Sequence, residues 1–284
     1  MPSYRFCRPD DIPYLVRAVG ECYDVHFPGS PAMTLERFRA EMKALDLWPS
    51  NSMVASSDDG PIAVLIGTKR AEEVLVLRVG VRPDHQRQGH GGHLLTSLSQ
   101  KLAVLGPERL IAEVPRSLPG VADFVATAGY RREATYTDYC RLPAPVEPVP
   151  AELVTPVTVD ELVGDESFEI SPEVAWERRR ETLLGGKDEL EGVAIVSPER
   201  IEAFLLYRPV ADGSGVDVVA AGAPLSERRE LFLELLLRHL AGATELPLRL
   251  PKLAPGELPA PLLEKLGFEP GLRYDRYAAA ATPA

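Results

Sequence analysis

The stretch Val74–Leu105, VLVLRVGVRPDHQRQGHGGHLLTSLSQKLAVL, decides the fold. It opens with an apolar run, Val74–Val81, broken only by Arg78 and Gly80. Such a run predicts a strand buried on both faces. Gln86-Arg87-Gln88-Gly89-His90-Gly91-Gly92 follows. Leu94, Leu95, Leu98, Leu102 and Leu105 then recur at the spacing of one apolar helix stripe. The unit is strand, glycine-rich loop, helix.

The first N–H groups of a helix have no internal partner and carry the positive end of its dipole. Glycines at the entry let an anion approach the backbone, because no Cβ intervenes. A phosphate or pyrophosphate is the expected ligand. No Gly-Lys-Ser/Thr follows, so the loop is not a P-loop. It also lacks the wider G-x-G-x-x-G spacing of a dinucleotide fingerprint.

Gln86-x-x-Gly89-x-Gly91, after a strand ending Val79-Gly80-Val81-Arg82-Pro83, resembles the acetyl-CoA-binding motif of the GNAT N-acetyltransferase superfamily. The resemblance implies a mixed α/β (α+β) sheet in the order β-α-α-β-β-β-α-β-α-β. It also implies acetyl-CoA as acyl donor. The amides of Arg87, Gln88, Gly89, His90, Gly91 and Gly92 would surround the pyrophosphate. The backbone of Val79, Gly80 and Val81 would pair with the pantetheine like an added strand.

Outward from this unit the chain reads in the same order. Tyr4–Arg8 is a short strand, and Asp10 or Asp11 can cap a helix from Ile12 to about Val19. Glu21–Gly29 reads as a loop. Thr34 opens a helix carrying Leu35, Phe38, Met42 and Leu45. Asp58-Asp59-Gly60 marks a hairpin between Asn51–Ser56 and Ile62–Thr68. After the central helix come a strand at Arg109–Val114, a helix at Val121–Ala128 stopped by Gly129, and strand from Tyr130 to Leu142.

Pro143–Pro150 is a proline-rich connector. The predicted domains are residues 1–142 and 151–284, joined by 143–150. The second half repeats the first at an offset near 138. Gly129-Tyr130 recurs as Gly267-Phe268, Tyr136 as Tyr274 and Tyr139 as Tyr277. The stripe Leu94, Leu95, Leu98, Leu102 recurs as Phe232, Leu233, Leu236, Leu240. At this offset Val79-Gly80-Val81 falls on Asp217-Val218-Val219, Gly89 on Glu227 and Gly91 on Arg229. Pro224-Leu225-Ser226-Glu227 reads as an ordinary helix start with Ser226 as cap. Two tandem GNAT-like domains are expected, the second without a CoA loop.

Of the 284 residues, 31 are basic and 42 acidic, for a net charge of −11. Residues 1–145 hold 17 of each kind, whereas 146–284 hold 14 basic and 25 acidic. No basic face is thus expected, which argues against nucleic acid. No stretch reaches the roughly 18 apolar residues of a membrane span. MPSYRFCRPDD has no signal-peptide core, so a cytoplasmic protein is expected. Cys7, Cys22 and Cys140 form neither a disulfide framework nor a zinc pattern, and no metal is expected.

Acetyl transfer needs a held thioester, a neutral amine and a leaving thiol. Arg82 and Arg87 are candidates for phosphate charge. The inward positions of the central strand read as Leu75 and Leu77, which cannot titrate. Glu113, in Ala112-Glu113-Val114, is the candidate base; the pair resembles the Glu-Val at which ribosomal-protein alanine acetyltransferases of the superfamily place theirs. The usual tyrosine of the general acid is replaced by Val125, and a nearby asparagine by Leu118. Tyr136 and Tyr139 are substitutes to weigh, although their repetition points to packing. The resemblance places the acceptor near Tyr23, Asp24 and His26. The expected protein is an acetyl-CoA-dependent N-acetyltransferase acting on a small-molecule primary amine, as a monomer or homodimer. A protein or peptide acceptor, or CoA binding without catalysis, are the alternatives.

Overall fold

The computed structural model describes residues 2–164, 170–171 and 173–283. In chain order the first half contains β1 (Ser3–Phe6), α1 (Ile12–Cys22), α2 (Leu35–Leu45), β2 (Met53–Ser57), β3 (Gly60–Lys69), β4 (Val74–Val81), α3 (His90–Leu105), β5 (Arg109–Pro115), α4 (Pro119–Thr127) and β6 (Arg131–Arg141). The second contains β7 (Thr155–Pro156), α5 (Val159–Val163), α6 (Arg180–Gly185), β8 (Glu191–Val196), β9 (Ile201–Pro209), β10 (Val216–Gly222), α7 (Arg229–Ala243), β11 (Leu248–Leu253), α8 (Ala260–Lys265) and β12 (Glu269–Ala280). Short 3-10 turns aside, both halves run β-α-α-β-β-β-α-β-α-β, the expected mixed-sheet order.

The compact units do not follow the halves. One unit is Met1–Glu133 with Asp275–Ala284; the other is Ala134–Tyr274. The expected boundary at 143–150 is therefore not where the compact units part, and that connector lies inside the second. Residues 275–280 of β12 continue the first unit's sheet, β1-β2-β3-β4-β5-β12. Residues 134–141 of β6 continue the second unit's, β6-β11-β10-β9-β8-β7. In the first unit the Ala281 N–H donates to the Glu108 carbonyl at 2.6 Å. Arg116 holds Asp275 through two hydrogen bonds of 2.7 and 3.0 Å. In the second, Tyr139 pairs with Leu250 and Arg141 with Leu248. Each half thus contributes its last strand to the other's compact unit.

In the first unit α3 packs Leu94, Leu95, Leu98 and Leu102 on one sheet face, with Val74, Val76, Leu110, Ala112 and Val114. On the other face α1 and α2 bury Leu15, Val19, Cys22 and Phe38 against Val54, Val64 and Ile66. A bulge reverses the alternation within β4. Gly67 pairs with Val76 and Ile66 with Arg78, so Leu77 is the extra residue. Before it, Val74 and Val76 face α3; after it, Val79 and Val81 do. The second unit repeats the device in β10. Val216 and Val218 face α7, Val219 is extra, and Ala221 and Ala223 resume the α7 face.

This register corrects the repeat in the central strand. The ladder pairs Val74 with Leu110 in one unit and Val216 with Leu248 in the other. Gly80 therefore matches Gly222, and Val79-Gly80-Val81 matches Ala221-Gly222-Ala223 rather than Asp217-Val218-Val219. The helices keep the offset near 138 because the intervening loop is shorter in the second unit. Residues 82–89 link β4 to α3, but only 223–228 link β10 to α7.

Candidate functional site

β4 is paired along one edge and open along the other. It pairs with β3 throughout, but with β5 only through Val74–Leu110 and Leu75–Ile111. Beyond those two rungs β4 and β5 are unpaired. The Arg82 N–H donates to the Ile62 carbonyl at 2.9 Å, toward β3. Alternation along an extended strand turns the peptide groups of Val79 and Val81 to the opposite edge. The Val81 carbonyl receives His26 Nε2–H at 2.8 Å and the Gln86 side-chain amide at 3.3 Å. That interaction requires the Nε2–H tautomer of His26. Gln86, read from the sequence only as part of the motif, thus anchors the glycine loop to the strand end.

At Gly80 the α1–α2 segment presses on the strand. A Cβ there would collide with the Cys22 carbonyl. The glycine lets the chain around Tyr23 lie directly on β4.

The loop is shaped for backbone presentation. Arg87 and Gly89 take positive φ, 62° and 87°. A Cβ on Gly91 would lie 3.2 Å from the Phe124 ring, whereas Gly92 faces open space. Beyond the helix's own pattern, none of the turn and loop hydrogen bonds among the described residues uses an amide from Arg87 to Gly92. Six consecutive positions from Arg87 to Gly92 thus offer N–H groups at a helix N-terminus, an arrangement that attracts an anion.

The histidines around the loop behave differently from phosphate ligands. The His90 side chain is buried, with Nδ1 2.6 Å from the Tyr4 hydroxyl. If Tyr4 donates, the proton sits on Nε2, which has no partner among the described residues. Burial, then the charges of His85 and His93, push its pKa down. His93 lies against the Tyr4 ring at 4.0 Å between centroids. His85 stands 2.6 Å from the Arg82 guanidinium, which also holds Asp84 at 2.7 Å. Arg82 is thereby committed locally, whereas Arg87 is exposed.

The bulge at Leu77 adds a residue that strict alternation misses. Arg78 and Gly80 share the α1–α2 face with Leu75. Arg78 makes a two-pronged ion pair with Glu41 of α2, at 2.7 and 3.0 Å, and lies over the Tyr23 ring. The signal was present as the one charge in the apolar run. Glu113 lies beyond the last β4–β5 rung and is partly exposed. Its neighbours Ala112 and Val114 face α3, so Glu113 points to the α1–α2 face. Asp24 is occupied, since its carboxylate accepts the Met33 N–H at 2.7 Å.

Val125 is buried in the α3-side core, so this position supplies no hydroxyl. The substitutes do not replace it. Tyr136 is fully buried in the second unit and donates to the Glu173 carbonyl at 2.9 Å. Tyr139 packs in that unit's core.

Residues 19–130 match the acetyltransferase (GNAT) family. None of the curated proteins matches this chain's sequence. Among solved structures it resembles a GCN5-related N-acetyltransferase from Sphaerobacter thermophilus, at 17% identity over 100% of this chain and 96% of that one, with a TM-score of 0.68. A tandem GNAT protein from the clavulanic acid biosynthesis pathway is equally similar, at 17% identity over the whole of both chains and a TM-score of 0.68. A GCN5-related N-acetyltransferase from Anabaena variabilis is 12% identical over 99% of this chain and 73% of its own, with a TM-score of 0.64. At these identities the TM-scores show a shared fold.

The second unit has the same parting of strands, and it is filled. β10 and β11 pair in parallel only through Val216–Leu248 and Asp217–Arg249. Beyond those rungs Arg178, 1% exposed, spans the gap. It donates to the Val218 carbonyl of β10 at 2.8 Å and the Pro251 carbonyl of β11 at 3.3 Å. Glu257 neutralises it at 3.0 Å. The helix that follows has Arg228, not the expected Ser226, at its N-cap position, and no side-chain cap. Among the described residues no helix is long and apolar enough to cross a membrane, and no three His, Cys, Asp or Glu side chains cluster to hold a metal.

Proposed function

We propose that this protein is an acetyl-CoA-dependent N-acetyltransferase for a primary amine of a small molecule, with the first unit carrying the activity. The observation that carries the reading is the open edge of β4 leading straight into the free amides of Arg87–Gly92. Within Val79-Gly80-Val81, the Val79 peptide groups and the Val81 N–H, which face the open edge, would take the pantetheine by strand addition, and the loop amides the pyrophosphate. Tyr23, Glu41 and Arg78 line the face from which the amine would approach.

Glu113 would accept the proton that the ammonium must lose before it attacks. The amine nitrogen then forms a bond to the thioester carbonyl carbon, and the C–S bond breaks. The products are an amide and a thiol. No side chain at Val125 protonates the departing sulfur; the second proton, shed by the nitrogen as the amide forms, reaches the thiolate through water. A free thiol has a pKa near ~8.5, which makes that departure feasible.

Thiol release from acetyl-CoA, followed over a panel of small amines, peptides and an amine-free control, tests the reading. Amide formation on a small amine is expected. Tight CoA binding with no turnover on any amine would favour the non-catalytic alternative, which the apolar Val125 position supports.

A further inference from the structure

The first unit has a concave feature remote from the glycine loop. It is a surface cavity of about 540 Å³ lined by Trp48, Ser50, Asn51, Lys69, Arg70, Ala71 and Lys101. Lys69 ends β3, Lys101 lies near the end of α3, and Trp48 precedes β2. The glycine loop meets α3 at its other end. A helix rises 1.5 Å per residue, so the two features stand roughly 15–20 Å apart along α3.

Three cations line this cavity and no acid does. Lys101 donates to the Ser50 carbonyl and holds its ammonium 4.1 Å from the centre of the Phe6 ring. Lys69 reaches the Leu105 carbonyl at 3.4 Å. Burial, and then the charge of Lys69, push the Lys101 pKa down. Two ammonium groups are thus held close enough to repel, a cost that an anion between them would relieve. Trp48 is 61% exposed, an unusual setting for the largest aromatic side chain. Its ring is free to stack on a flat ligand.

The scaffold does not require this cluster, because the repeat lacks it. The ladders match Met53 with Val193 and Lys69 with Pro209. Counted from those rungs, Asp188 stands for Trp48 and Glu191 for Asn51. The helix match puts His239 in place of Lys101. Aromatic and cations are absent together from the second unit.

We propose that this cavity is a second binding site for a nucleotide-like ligand, with a planar ring on Trp48 and its phosphate among Lys69, Arg70 and Lys101. The site is independent of acetyl transfer and of the glycine loop. A cavity of a few hundred Å³ suits a mononucleotide.

The two tryptophans make the test direct, since Trp176 is fully buried and Trp48 is the exposed reporter. The full chain is titrated with guanosine monophosphate, guanosine and inorganic phosphate while tryptophan emission is followed. Saturable quenching by the monophosphate is expected, weakened by salt. Guanosine and phosphate should each bind at least about tenfold more weakly. Lys69→Glu with Lys101→Glu should weaken the monophosphate at least about tenfold while CoA affinity is unchanged. Lys69→Gln with Arg70→Gln, which leaves the Lys101–Ser50 bond in place, should weaken it in the same direction. Absence of saturable quenching up to millimolar monophosphate overturns the proposal. So does quenching that survives both double variants, competition by CoA at the same site, or phosphate binding as tightly as the monophosphate.

Discussion

The two units part the same pair of strands at the same rung and then treat the gap in opposite ways. β4 and β5 separate after Leu75–Ile111, and β10 and β11 after Asp217–Arg249. In the first unit the gap leads into a loop of free amides, and Glu113 stands on the far strand. In the second, Pro251 occupies the position of Glu113 by the Leu110–Leu248 match, and its carbonyl receives Arg178. One guanidinium supplies donors to both strand edges, much as an inserted extended ligand would. The parted sheet is therefore a costly feature in either form. Its edge polar groups need partners, from a ligand in one unit and from a buried side chain in the other.

This contrast can be attacked from either side. The largest effect is expected at the open gap. Glu113→Gln should lower kcat by about 10²–10⁴-fold, with CoA affinity retained. Steady-state kinetics beside calorimetric CoA titration read both quantities; an unchanged kcat would remove Glu113 from the mechanism. At the closed gap, Arg178→Ala should cost about 3–5 kcal/mol, because Glu257 and two strand carbonyls lose their partner in a buried setting. Urea unfolding measures this, and a loss below about 1 kcal/mol would show that the plug is dispensable.

Gly89→Glu puts a side chain at φ 87° and a negative charge among the amides. CoA affinity should fall about a hundredfold, from backbone strain plus repulsion. Residual tight binding at one site would mean that the second unit binds CoA after all. The smallest effect concerns the Arg5–Asp11 pair of the first unit. The Arg5 side chain, then the Arg8 N–H, hold the Asp11 carboxyl at about 2, below its ordinary 3.8. A depressed carboxylate stabilises the fold fully above 3.8 and loses that contribution as pH falls toward 2. The pair is partly exposed, so Asp11→Asn should cost under about 1 kcal/mol at pH 6. The difference should vanish near pH 2 in urea unfolding.

Much of this was legible in the sequence. The period of the apolar residues placed nearly every element of the first half, and the glycine loop stood out because its chemistry is local. Asp11 illustrates a limit: it begins α1 but spends its carboxylate on Arg5 and the Arg8 N–H rather than on the helix. The repeat was legible in the helices and final strands but slipped by four residues in β10. A run of small apolar residues carries little register information, and a bulge changes face without changing composition. Arg78 was hidden by the same bulge. Arg178 sits in Trp176-Glu177-Arg178-Arg179-Arg180, which reads as a solvated polar segment. Only the tertiary fold brings it between two strand edges.

The exchange of final strands between the halves was invisible for a further reason. Tyr139 and Tyr277 would satisfy either core equally well, since the same position in each repeat presents the same face. In the folded chain each packs in the unit built mainly from the other half: Tyr139 with Leu248 and Leu250, Tyr277 with Val74 and Leu110.

That exchange has a consequence for how the protein is made. Residues 1–133 hold the glycine loop, yet their sheet lacks the strand that only residues 275–280 provide. A ribosome delivers those residues after the whole second unit has been synthesised. Until then β5 lacks its native neighbour, an edge open to wrong pairing, β6 included. A chain broken anywhere before residue 275 would hold the glycine loop in a sheet that lacks its β12 segment.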